Sequence, residues 1–173
     1  MKTIILYKSA TGFTKRYADW ICESIDCESV SLKEASIEQL SGYDTIIFGS
    51  RIHAGRIDGL DKVRKLCATK KMVLFVTGGT PAEATAIIDK MWTDNLTPEE
   101  LKTIPHFYMP GGLCYEKMSV PDRLLMKMAA KMMGNGGHKD SVEAGFAQAL
   151  TGSYDISDKK YIEQLISDCF SLC

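Results

Sequence analysis

The sequence predicts an α/β fold, a doubly wound five-stranded parallel sheet of order 2-1-3-4-5 within one domain spanning residues 1–173. Three observations carry this. Short apolar runs such as Ile4-Ile5-Leu6-Tyr7, Ile46-Ile47-Phe48 and Val73-Leu74-Phe75-Val76 read as strands buried on both faces. The segments between them carry apolar residues at helical spacing. Strands that alternate with helices need crossover connections, and crossovers give parallel pairing.

Taken in order, residues 2–7 form the first strand, and 14–27 a helix with Tyr17, Ala18, Ile21, Cys22 and Ile25 on one face. A short strand is expected at 29–32 and a helical turn at 37–40. Residues 44–49 form a third strand, followed by a loop at 50–57 rich in glycine and basic residues. Helical spacing resumes at 60–67. The fourth strand, 72–76, ends in Thr77-Gly78-Gly79-Thr80-Pro81. Helices follow at 83–92 and from 98–101. The fifth strand, 106–109, is stopped by Pro110-Gly111-Gly112, and a last helix spans 158–170. The loops at 9–14, 50–57 and 77–81 all follow strands, so they gather on one rim, where such folds bind ligands.

Composition narrows the function. With 21 basic and 22 acidic residues, the chain lacks the basic surface that nucleic acid requires. No signal peptide and no apolar run of membrane-spanning length is visible, so the expected location is cytoplasmic, or peripheral on the inner face of a membrane. The six cysteines have no metal-binding spacing and are expected as reduced thiols serving as small core residues.

The chemistry concentrates after the first strand. Ser9, Ala10, Thr11, Gly12, Phe13 and Thr14 form a hydroxyl-rich turn opening a helix. Helix N-termini present unpaired N–H groups and partial positive charge. Glycine allows close backbone approach, and the hydroxyls add donors. Such a turn can hold a phosphate monoester without lysine or metal. Capping and turning alone would also use these residues. A Walker loop and a dinucleotide fingerprint are both absent.

Two further features stand out. Arg51, His53 and Arg56 occupy a loop expected to face the ligand, as catalytic or substrate-carboxylate-binding candidates or as solvated cations. Between 124 and 133, Leu124, Leu125, Met126, Met128, Ala129, Ala130, Met132 and Met133 form an extra apolar helix striped by Arg123, Lys127 and Lys131. It is too short to span a bilayer. It suits a membrane interface, a partner, a homodimer contact, a wall for a quinone, or packing on its own domain. Gly134-Asn135-Gly136-Gly137 ends it and begins a polar loop.

Ser-Ala-Thr-Gly-Phe-Thr after strand one resembles the FMN-phosphate loop of the flavodoxin superfamily, Ser/Thr-x-Thr-Gly-x-Thr. The resemblance implies a flavodoxin-like fold and non-covalent FMN. Ser9, Thr11, Gly12 and Thr14, with backbone of Ala10 and Phe13, would hold the phosphate. Ser50, Arg51, Ile52, His53, Ala54 and Gly55, with Thr77, Gly78, Gly79 and Thr80, would flank the isoalloxazine. A receiver domain shares the topology but needs an aspartate after strand three, where this chain has Phe48-Gly49-Ser50. Gly-Ser-Arg-Ile-His-Ala-Gly at 49–55 and Gly-Gly-Leu-Cys-Tyr-Glu-Lys-Met at 111–118 resemble the menaquinone-dependent protoporphyrinogen dehydrogenase branch. That branch implies an oxidoreductase with a quinone-type acceptor and no metal. A flavodoxin-type carrier serving redox proteins, and a non-redox module that kept the phosphate loop, remain as alternatives.

Overall fold

The computed structural model describes residues 2–124, 127–128 and 152–171. Strand β1 (Thr3–Tyr7) lies inside the sheet, with Ile4, Ile5 and Leu6 wholly buried. It pairs in parallel with β2 (Glu28–Ser31) on one side and β3 (Thr45–His53) on the other. Beyond β3 lie β5 (Lys71–Gly78) and then β6 (His106–Pro110), both parallel. The order β2-β1-β3-β5-β6 is the expected doubly wound arrangement.

Successive strand side chains point to opposite faces, so one apolar run supplies two cores. Ile4, Leu6, Ile46, Phe48, Leu74 and Val76 pack with Val63 of α3 (Leu60–Leu66) and Trp92 of α4 (Thr85–Asn95). Ile5, Ile47, Val73 and Phe75 face the other way. They meet Tyr17, Ala18 and Ile21 of α1 (Phe13–Ile25) and Leu165 of α6 (Glu163–Ser171). Two shorter helices fill the connections. α2 (Ile37–Ser41) begins where the Ser36 hydroxyl accepts from the Gln39 N–H. α5 (Pro98–Thr103) opens on a reciprocal cap between Thr97 and Glu100.

Two features correct the expected layout. Residues 50–57 are not an open loop. β3 continues to His53, and the chain reverses at Ala54 (φ 48°) and Gly55 (φ 77°). It returns as the short strand β4 (Arg56–Ile57), antiparallel to β3 with Ile52 opposite Ile57. Positive φ at both turn residues matches the twist of a two-residue hairpin. The second feature is a two-stranded ribbon of β7 (Gly112–Leu113) and β8 (Tyr154–Asp155), which the sequence did not suggest.

Of the apolar helix expected at 124–133, only Leu124 and the pair 127–128 fall within the described residues. Residues 120–124 are helical, and Leu124 and Met128 expose 60% and 56% of their surface. The rest, with Gly134-Asn135-Gly136-Gly137, lies outside them. No helix among the described residues is long and apolar enough to cross a membrane. Cys67 is buried, as expected of a core thiol, while the half-buried Cys22 and Cys27 face each other at 3.5 Å between sulfurs.

Candidate functional site

Four segments meet at the C-terminal edge of the sheet. They are the turn 9–14 after β1, the β3–β4 hairpin, the turn 78–80 after β5 and the stretch 111–118 after β6.

The first turn is shaped by its own backbone. The Gly12 N–H donates to Ser9 Oγ at 3.2 Å, which closes the turn. Gly12 has φ 103°, a region that side-chain-bearing residues rarely adopt, so glycine is required there. α1 starts with neither a side-chain cap nor an acidic residue in its first turn. The N–H groups of Phe13, Thr14 and Lys15 therefore precede any helical carbonyl partner, and the positive end of α1 faces the cleft. The Thr14 hydroxyl turns inward instead. It shares a buried 2.8 Å hydrogen bond with the Thr77 hydroxyl, which also donates to the Ser50 carbonyl at 3.3 Å. This bond ties the turn to β5.

The turn after β5 relies on close approach. A side chain at Gly78 would strike the Tyr108 hydroxyl, and one at Gly79 the Tyr154 hydroxyl. Those phenols donate to the carbonyls of Thr80 at 2.9 Å and Gly79 at 2.6 Å. Burial pushes the Tyr154 phenol up to about 12 and raises Tyr108 as well, so both remain protonated donors.

The hairpin is organised by charge. Asp58 Oδ1 lies 2.6 Å from Lys8 Nζ, and its other oxygen lies 3.6 Å from Arg51 Nε. Burial disfavours the charged form of Asp58, but these two cations outweigh it and hold the carboxyl below its ordinary range. Asp122 lies 2.8 Å from His53 Nε2 and 3.5 Å from Arg51 Nη1. The hydrogen bond from His53, helped by Ser119 and Arg51, holds its carboxyl low despite some burial. Arg51 Nε is buried with no hydrogen-bond acceptor among the described residues.

The expected site residues divide accordingly. Ala10, Thr11, Phe13, Thr14, Arg51, Ile52, Thr77, Gly78 and Gly79 line one cleft with Gly111, Gly112, Leu113 and Met118. Ala54, Gly55 and Thr80 line an adjoining cavity of about 370 Å³, shared through Ile52, Gly78, Gly79 and Leu113. Ile87, Ile88 and Met91 of α4 make that cavity largely apolar. Ser9 and Gly12 shape the first turn. Ser50 is wholly buried and spends its hydroxyl on the Asp58 carbonyl at 2.5 Å. Arg56 turns away and donates to the Asp94 carbonyl at 3.0 Å on the exposed flank. The expected concentration of positive charge is therefore corrected: two carboxylates offset Arg51, and Arg56 does not join it. Sequence reading missed Asp58, one residue past that stretch, and missed Asp122 and the α4 wall, which nothing local to residues 50–57 announces.

A flavodoxin-domain profile matches residues 4–141, most of the chain. The chain belongs to the flavodoxin domain family. This flavodoxin-family chain is 29% identical over 121 residues to an uncharacterized protein of Methanocaldococcus jannaschii, covering 66% of this chain and 79% of that one. It is similar to a flavodoxin from the domain Archaea at 17% identity and TM-score 0.42, over 88% of this chain and all of that one (100%). Two-electron-reduced Megasphaera elsdenii flavodoxin aligns at 16% identity and TM-score 0.43, over 87% of this chain and 99% of that one.

Proposed function

We propose that this flavodoxin-family chain binds one FMN non-covalently and works as an oxidoreductase of the protoporphyrinogen dehydrogenase (quinone) type. The observation that carries the reading is the continuous cleft from a helix N-terminus bare of acidic residues to a 370 Å³ apolar cavity. One end offers N–H groups and the Ser9 and Thr11 hydroxyls to a phosphate. The other offers Ile52, Leu113, Ile87, Ile88 and Met91 to flat, apolar ring systems.

The residues present fit FMN. The unpaired N–H donors of the first turn of α1 suit a phosphate monoester. Arg51, which lines the cleft while its guanidinium is braced by Asp58 and Asp122, suits a ring carbonyl or ring nitrogen. When bound, the isoalloxazine supplies the electron-transfer chemistry. The chain's residues bind and orient it. Tyr108 and Tyr154 occupy the carbonyls of Thr80 and Gly79 and so fix the peptide planes of that turn. Apolar walls keep water from the adjoining cavity.

Two supports favour an enzyme over a carrier of electrons between proteins. The apolar cavity has room for a small organic reactant, and the near-neutral net charge of −1 lacks the strong acidity typical of flavodoxin carriers. The test begins with purified protein incubated with FMN, desalted and titrated anaerobically with dithionite. Retained flavin that bleaches in one two-electron step, followed by turnover of porphyrinogen with a quinone, is the expected result. A half-reduced, long-wavelength species accumulating on titration, with no small-molecule turnover, would assign the carrier role. Absence of retained flavin would overturn the reading.

A further inference from the structure

The turn 9–14 offers a phosphate only neutral donors, yet a cation hangs over it. Lys117 Nζ lies 3.9 Å from the point where a side chain on Gly12 would begin. We propose that Lys117 contacts the phosphate held by this turn and makes the site selective for phosphorylated flavin over its dephosphorylated form. The inference rests on the FMN reading above.

The placement of Lys117 is built rather than incidental. It ends a 3₁₀ turn, Tyr115–Lys117, whose Tyr115 N–H donates to Ser153 Oγ at 2.9 Å. Ser153 donates in turn to Glu116 Oε2 at 2.7 Å, and Arg123 donates to the Glu116 carbonyl at 3.2 Å. The chain leading in is pressed on the phosphate turn: a side chain at Gly111 would touch Phe13 at 3.0 Å. Met118, the next residue, lines the same cleft as Ala10 and Thr11.

The charge balance points the same way. Four other cations around this rim are already matched to carboxylates: Lys8 with Asp58, Lys15 with Asp19, Arg16 with Asp155, and Arg51 with Asp58 and Asp122, while Arg123 donates to the Glu116 carbonyl. The carboxylate next to Lys117, Glu116, is drawn to Ser153, whose hydrogen bond holds it below its ordinary range. Among the described residues no carboxylate pairs with Lys117. A phosphate monoester carries about −1.5 to −2 charge at neutral pH, so an ammonium at this point forms a charge-assisted hydrogen bond that neutral donors cannot equal. A ribityl chain ending in a hydroxyl has no charge to meet it.

The test is a set of fluorescence-quench titrations of the full chain, freed of flavin, with FMN and with riboflavin. Wild type, Lys117→Gln and Lys117→Arg are compared, with thermal melts confirming folding. The expected result is a roughly tenfold weaker FMN Kd in Lys117→Gln, an unchanged riboflavin Kd, and recovery in Lys117→Arg. Unchanged FMN affinity in Lys117→Gln would overturn the proposal while leaving the FMN reading intact. So would equal losses for FMN and riboflavin, since Lys117 would then act on the fold or the ring. Wild type binding neither flavin, or FMN no more tightly than riboflavin, would overturn both.

Discussion

The turn 9–14 and the β3–β4 hairpin leave adjacent strands at the same edge of the sheet, yet they are held by different means. The turn is shaped within six residues, by one glycine dihedral, one Ser9 acceptor and the start of a helix. The hairpin takes its tight turn from Ala54 and Gly55 but its charges are placed by Lys8, Asp58 and Asp122, the last from a segment after β6. A turn shaped within its own six residues presents the free N–H groups of a helix start. A site built from distant ion pairs is adjustable, and each exposed pair contributes little by itself.

The comparison can be broken most severely at the turn. Gly12→Val places a β-branched residue at φ 103°, and backbone strain of this kind costs about 1–3 kcal/mol. Urea melts should show a loss in that range, and FMN retention on desalting should vanish. Thr14→Val comes next. It strands the buried Thr77 hydroxyl with only its longer bond to Ser50, for a loss of about 1–2 kcal/mol in the same melts.

At the hairpin the effects shrink. Asp122→Asn should lower stability at neutral pH by only about 0.5–1 kcal/mol, because both its partners reach solvent. The folded-state carboxyl of Asp122 is depressed, so its contribution is fully present above the unfolded value near 3.9. It is lost as pH falls through the lower folded value. Melts across an acid series should therefore show wild type and Asp122→Asn converging at the acid end; a constant gap would refute the ion-pair account. Arg56→Gln removes only an exposed bond to Asp94, and its melts should stay within about 0.5 kcal/mol of wild type, with FMN binding unaltered.

The same contrast explains what the sequence made legible. Ile4-Ile5-Leu6 and Val73-Leu74-Phe75-Val76 announced buried strands because burial on both faces demands unbroken apolar runs. The turn 9–14 opening a helix is legible because Ser9, Gly12 and the start of α1 are neighbours in the chain. From sequence the hairpin reads as a loop, because Arg51, His53 and Arg56 look solvated when their partners are hidden. Its strand character rests on the Ile52–Ile57 pair and on positive φ at Ala54, a residue with no turn signature of its own. Asp122 carries no local mark, and the run 111–118 that contains Lys117 gives no hint of the role of that lysine. Only the packing of 111–124 across the rim gives them meaning.

The ribbon of β7 and β8 has a consequence for how such a chain can change over time. Leu113 and Tyr154 face each other as antiparallel neighbours, so residues 114 and 153, far apart in the chain, start from adjoining points of the fold. Loop-closure entropy grows only slowly with length, so the core tolerates excursions of very different size between those anchors. The described start of the stretch between them, residues 114–124, is set apart from the sheet in sequence. It carries Lys117 and Asp122 to the rim, while the sheet and the phosphate turn lie outside it. Changes in length between those anchors can therefore retune the chemistry at the rim without redesigning the sheet beneath it.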